Sequence, residues 1–434
     1  MTNNNIAPAA NEVKKVRPAA ILMLALASLV YMLAALERIS PPVVALDIMD
    51  SLRIGPDDMG LIFSATFLTY ALMQPLAGHC ADRFAPKRCL AMCAALLALS
   101  SIWFSQSQSF FSAWLSRALV GLAAGLAFVP AVRLSANWLP EKHFGMASTC
   151  ILAASAFSNF LAGSPLARTA GQHGWRFSFL ALGLIALVVL ALVLLVISDR
   201  PKTEGRPKEN GKSEAEEKQS LIKTAKLVLR APVFWLISLV YSGTDLVYDV
   251  FTGLWAGPFL KEVHGLSSVA AGNMLSTAAV GFLVGGPLLV MLGNRWGSYS
   301  KVVICMCLMN VGITAFIIWG PKEAAPWMLQ LLCLAAPLGI HCTGLLFAIG
   351  KSFFPEKVTG AVIGFLNLMP FLVGAVMQSV VGRILAFVRT SPDSSSLGAH
   401  FHYAQAFKPI LFWCVLSTLA AFWLKKKAAV TFFK

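Results

Sequence analysis

Eleven polar side chains stand inside long apolar stretches, and their types suit anion binding and proton carriage rather than bond making. Arg38 directly follows Glu37. Its guanidinium offers a planar fork to a carboxylate, phosphate or sulfonate. Adjacent residues on a helix point about 100° apart, so the two need not pair with each other. Asp245 and Asp249 lie four residues apart, on one helix face. Carboxyls held away from water can take protons near neutrality. Tyr241 and Tyr248 flank them, as hydroxyl donors or as cavity lining. A charge at the bilayer centre costs roughly 2.5–3.5 kcal/mol on insertion scales, so each needs a partner, a hydrated cavity or a function. The bland alternative is structural: Arg38 paired with Glu37, Asp245 or Asp249, or an acid closing a gate on Arg38 or Arg117.

Five more side chains are ambiguous in the same way. Arg117 contacts substrate or holds Glu37 as a structural pair. Arg133 meets an anion in an inner vestibule or snorkels to the interface. His341 titrates near physiological pH or is a satisfied core imidazole. Gln74 and Asn367 hydrogen-bond a substrate or bridge helices. No phosphate loop, Ser-His-Asp order or H-E-x-x-H occurs, so no enzyme, ATP site or cofactor is expected. The nine cysteines sit in or beside apolar segments and read as inert buried thiols. His341 and Cys342 alone lack the ligand number of a metal site.

The elements that must position these groups follow from composition. The 434 residues are 57% hydrophobic and 13% charged, where a soluble domain has about 25% charged residues. Twelve spans of about 20 residues fit this length. They are expected near 19–44, 58–80, 88–105, 110–137, 144–166, 177–197, 232–256, 268–292, 301–320, 326–350, 358–385 and 409–424, with Pro337 and Pro370 interrupting spans 10 and 11. The fold expected is an all-α membrane protein of twelve transmembrane helices in two six-helix bundles, residues 1–198 and 231–434. A polar linker, 199–230, joins them. The net charge of +15 is a topology signal and not a nucleic-acid signature. With both termini cytoplasmic, 24 of the 35 Lys and Arg residues fall on the cytoplasmic side and seven on the other.

The halves look like a repeat. Pro140-Glu141-Lys142-His143-Phe144-Gly145 and Pro355-Glu356-Lys357-Val358-Thr359-Gly360 lie 215 residues apart; Asp82-Arg83-Phe84 and Asn294-Arg295-Trp296 lie 212 apart. Parallel six-span repeats place a substrate site between the halves near the midplane. Gly78-His79-Cys80-Ala81-Asp82-Arg83-Phe84-Ala85-Pro86-Lys87-Arg88 resembles the loop 2–3 signature of the major facilitator superfamily, with Ala85 where Gly is usual. Arg117-x-x-x-Gly121-x-x-x-Gly125 resembles that superfamily's span 4 motif. Within it, Glu37-Arg38, Met59 to Ala65, Trp138-Leu139-Pro140 and Trp175-Arg176 make the N-terminal half most similar to the anion:cation symporters. Those relatives commonly carry a span 4 acid seven residues after the motif Arg. Here that position is Ala124.

The resemblance implies a gradient-driven importer of a small organic anion with protons, working by alternating access as a monomer in the cell inner membrane. It implies Arg38 as the anion contact, a proton-linked role for Arg117, and a gate in Asp82, Arg83, Lys87 and Arg88 that meets the start of span 11. The coupling role vacated at Ala124 passes to Asp245, Asp249 or Glu37. Two rivals share the fold: a proton-antiport exporter of drugs or metabolites, and an importer of another nutrient such as an amino acid or siderophore. A receptor is disfavoured, because residues 199–230 are too short and polar to form an output domain.

Overall fold

A computed structural model describes residues 18–140, 143–200, 225–351, 353–354, 359–392 and 395–431. Regular structure among them is entirely helical. Eleven helical stretches are long and apolar enough to cross a membrane. One of them, Met146–Val196, has 51 residues, about 75 Å of helix at 1.5 Å per residue. That is more than twice a hydrocarbon core of about 30 Å, so it supplies two crossings and the spans number twelve. They are the ones expected.

Local chemistry sets their ends. Spans 2 (Pro56–Arg83), 3 (Pro86–Ser105), 10 (from Pro326) and the first part of 7 (Pro232–Leu246) all start on proline, whose fixed φ and missing N–H suit the first helical turn. Ser109 caps span 4 (Phe110–Gly125, then Phe128–Trp138) by accepting from Ser112 N. Span 1 (Pro18–Ile39) stops short of residue 44, because Pro41 and Pro42 turn the chain into a 3-10 segment. Span 5 (Phe144–Ala162) runs at Gly163 into Ser164–Val196, which holds span 6 and a preceding helical segment; Gly174, at φ +84°, separates the two. Span 8 is Ser268–Ser276 with Ala278–Trp296, span 9 Tyr299–Trp319, span 11 Thr359–Thr390 and span 12 Gly398–Thr431. Pro337 lies in a 3-10 stretch, Ala336–His341, within span 10. Pro370 is absorbed by a continuous helix, contrary to the expected interruption.

The halves meet along a seam of spans 1, 2 and 5 against 7, 8 and 11. The seam is tight at the end that carries the 40–55 connection, called here the far end, opposite the linker end. There a Cβ on Gly257 would fall on the Pro42 carbonyl, and one on Gly60 on the Gln378 carbonyl. Ser164 N donates to Ser276 Oγ at 2.8 Å, and Lys261 sits 3.9 Å from Asp47. Exposed Leu184, Val188, Leu195, Leu283, Phe412 and Leu419 on spans 6, 8 and 12 form the lipid-facing exterior.

Candidate functional site

Span 7 is where the helical pattern departs from the ordinary. After Leu246 it becomes a π-helix over Val247–Trp255, then returns to α over Ala256–Glu262. Pro258 cannot donate to the Leu254 carbonyl, which favours the irregularity. Neighbouring spans brace the backbone. Asn310 of span 9 donates to the carbonyls of Gly243 (3.0 Å) and Thr244 (2.8 Å), and Gln378 of span 11 donates to that of Asp249 (2.9 Å). π-turns recur at functional sites, and this one carries Tyr248 and Asp249.

Asp245 and Asp249 are 1% and 3% exposed, so both carboxyls lie inside the protein. They are near enough to repel each other. Asp245 Oδ1 accepts from Thr244 Oγ1 at 3.1 Å. The Oδ2 atoms of both acids have no hydrogen-bond partner among the described residues. Arg38 supplies the opposing charge: it lies within electrostatic reach of both acids. Neither acid forms an ion pair within 4.0 Å among the described residues. The guanidinium stacks over Tyr70 (4.9 Å) and Phe371 (5.5 Å), and the residue as a whole is half-buried. A cation resting on aromatic faces keeps its hydrogen-bonding edge free for an anion.

Four of the chain's six tyrosines, 31, 70, 241 and 248, gather around these charges. Tyr241 Oη donates to Asn367 Oδ1 at 2.7 Å, and Asn367 Nδ2 donates to Gln74 Oε1 at 2.6 Å. This chain joins spans 7 and 11 of one half to span 2 of the other. Tyr248 Oη donates to Asn159 Oδ1 of span 5 at 2.8 Å. Arg38, Gln74, Tyr241, Asp245, Tyr248, Asp249 and Asn367 thus come together at the seam.

The structure does not bring Glu37 and Arg117 there. Both are fully buried within the first half. The Arg117 guanidinium donates to the Glu37 backbone carbonyl and is boxed by the rings of Phe63, Phe104 and Phe179 at 5.0–5.8 Å. The Glu37 carboxylate has no hydrogen-bond partner among the described residues; Ser101 lies beside it, short of hydrogen-bond geometry. This follows from the 100° step between neighbours, which turns Glu37 to spans 3 and 4 while Arg38 faces the seam. His341 also sits apart, its ring against Gly285 and Phe282 of span 8 inside the second half. Arg133 is half-buried in the linker-end part of span 4, within reach of Cys89.

Lys87 is engaged within its own half, where its N–H donates to Asp199 Oδ1 and its ammonium to the Leu194 carbonyl, both at 2.7 Å. Arg88 is exposed. The side chains of Asp82 and Arg83, residues 141–142 and 355–358, and linker residues 201–224 lie outside the described residues.

Sequence reading missed Tyr31, Tyr70, Asn159, Asn310 and Gln378. Tyr31 had a signal: seven residues before Arg38, it falls on the same helix face. The others are single polar residues in apolar runs, and only the fold supplies their partners.

The cluster sets one cation, Arg38, within electrostatic reach of two buried acids. The Major Facilitator Superfamily model matches residues 22–378. The hexuronate transporter of Escherichia coli (strain K12) is 24% identical over 401 residues, covering 87% of this chain and 90% of that protein. An MFS-type efflux pump of Mycolicibacterium smegmatis is 27% identical over 377 residues, covering 81% and 83%. Among solved structures, a bacterial homologue of the human lysosomal transporter Spinster superposes with a TM-score of 0.74 at 16% identity, covering 94% of this chain and 97% of that one, which shows the shared fold. With more than four-fifths of its length matched by the family model, this chain belongs to the Major Facilitator Superfamily, as a membrane transporter and not an enzyme.

Proposed function

We propose that the chain takes up a small organic anion together with protons, by alternating access of its two six-span halves. Residues 1–198 and 231–434 form the halves, and 199–230 link them on the cytoplasmic side of the cell inner membrane. The observation that carries the reading is Arg38, held on aromatic rings at the seam within reach of two buried acids. The relative named for hexuronate, a sugar acid, supports the anion class.

The coupling follows from charge. With Asp249 ionised, Arg38 is already partly neutralised and binds an anion weakly. A proton on Asp249 removes that competitor, so proton and anion favour each other's binding. The loaded cluster is close to neutral and crosses between states at lower cost than a charged one. Glu37, beside Arg117, is a second proton acceptor in the first half. The protein acts as a monomer.

Purified protein in liposomes, given labelled hexuronate, tests this. Uphill accumulation that needs an inward proton gradient is expected; accumulation indifferent to the gradient overturns proton coupling. The efflux-pump relative favours a second reading, proton-driven export. Direction decides: proton entry on adding anion outside supports uptake, and anion leaving as protons enter supports export.

A further inference from the structure

A cavity lies on the seam, one turn beyond Arg38 toward the far end. It has a volume of about 20 Å³, room for about one water, and is lined by Ile39, Asn159 and Gly163 of the first half and by Tyr248, Thr252 and Leu275 of the second, among others. Its roof is the closed far end, where Gly163 abuts Gly272 and Ser276 and Gly257 abuts Pro42. Its floor is the 2.8 Å bond from Tyr248 to Asn159, the same tyrosine that borders Arg38. Thr252 lines this space. It is 8% exposed, and its Oγ1 has no partner among the described residues.

We propose that this cavity is a hydrated antechamber to the Arg38 cluster: water is its resident ligand, and the Tyr248–Asn159 hydrogen bond is the gate between them. An apolar void would stay dry, but one with the Asn159 amide and the Tyr248 phenol on its wall offers water two of the partners it needs. The π-helix assigns the roles. At about 4.4 residues per turn, Tyr248 and Thr252 share a face, and Asp249 is turned aside toward Gly374. The cavity is thus the closed remnant of the path from the far end. Water held there keeps that path solvated and shortens the step by which protons or an anion reach Arg38 when the roof parts. This rests on the site proposed above, but its test does not use transport.

The first experiment is hydroxyl-radical footprinting with mass spectrometry on the full chain in nanodiscs. Tyr248 and Tyr403 are comparably buried, at 3% and 0% exposed, and Tyr248 lines this cavity while Tyr403 does not. Bound water should make Tyr248 react severalfold faster than Tyr403. A Tyr248 no more reactive than Tyr403 overturns the hydrated cavity. The second uses Thr252→Cys with the exposed Cys150 and Cys305 replaced by serine. Adding Asn159→Leu should raise its alkylation by a small thiol reagent about three- to tenfold, the change expected from one hydrogen bond. An unchanged rate overturns the gate.

Discussion

Asn367 of span 11 donates its side-chain amide to Gln74 of span 2 across 2.6 Å, joining the two halves beside the Arg38 cluster. Tyr241 occupies the other side of the same amide. Asn367 therefore reports the geometry of the Arg38 cluster and inter-half closure together. A double-mutant cycle with Gln74→Leu and Asn367→Leu should give a coupling of about 0.5–1.5 kcal/mol in thermal unfolding, the worth of one buried hydrogen bond. Additive losses would mean that the pair does not hold the halves.

The proposed function makes anion binding depend on Arg38. Arg38→Ala should abolish uptake, and Arg38→Lys should retain only a fraction, because an ammonium cannot reproduce a planar fork lying on Tyr70 and Phe371. A charged hydrogen bond of roughly 1.5–3 kcal/mol predicts a loss of about 10- to 100-fold in affinity. Isothermal titration with the transported anion measures it. Full affinity in the alanine variant would reject the assignment.

The two span 7 acids should separate. Asp249→Asn imitates the protonated acid beside Arg38, so it should bind the anion more tightly, by roughly tenfold for about 1.4 kcal/mol of relieved competition. It should also exchange anion across the membrane without uphill accumulation. Asp245→Asn, with the Thr244 hydrogen bond on its other oxygen, should weaken accumulation and leave affinity nearer its original value. Counterflow and gradient-driven uptake, measured side by side, distinguish them. An Asp249→Asn protein that still concentrates its substrate would remove this acid from the coupling scheme.

Arg117 should behave as a structural residue in stability assays. Arg117→Ala loses the hydrogen bond to the Glu37 carbonyl and contacts with three phenylalanine rings, each worth roughly 0.5–1 kcal/mol or more when desolvated. A clear fall in the detergent melting temperature is expected, larger than that of Glu37→Gln. Equal melting temperatures for both variants and the parent would contradict the boxed geometry.

What could be read from the sequence, and what could not, divides along the range of the interaction. The i, i+4 spacing of Asp245 and Asp249 put them on one face, and the step between Glu37 and Arg38 allowed them to part, because both depend only on helix geometry. The span count followed from apolar length. The end of span 1 at Ile39 was legible in Pro41-Pro42 but was overrun, since hydropathy continues through Val43 and Val44. Pairings such as Tyr248 with Asn159 or Gln378 with Asp249 join residues 89 and 129 positions apart, and no periodicity encodes them. The π-turn was hidden for the same reason: its side-chain supports come from spans 9 and 11.

Far-end closure makes the last prediction. Gly257 packs so closely on Pro42 that an added Cβ would fall on the Pro42 carbonyl, a backbone atom that cannot swing away. Gly257→Ala must therefore separate the end of span 7 from the first loop. Overpacking of this kind costs typically 1–3 kcal/mol, and here the cost falls on the closed arrangement alone, since the contact crosses between halves. The population should shift by about 5- to 150-fold toward a form open at the far end. Spin labels on Asp47 and Lys261, whose side chains approach to 3.9 Å in this state, should report longer and broader distances in the alanine variant by pulsed electron paramagnetic resonance. A control, Gly171→Ala, places its Cβ in open space and should leave the distances as they are. Matching distance distributions for Gly257→Ala and the parent would show that this contact does not hold the far end shut.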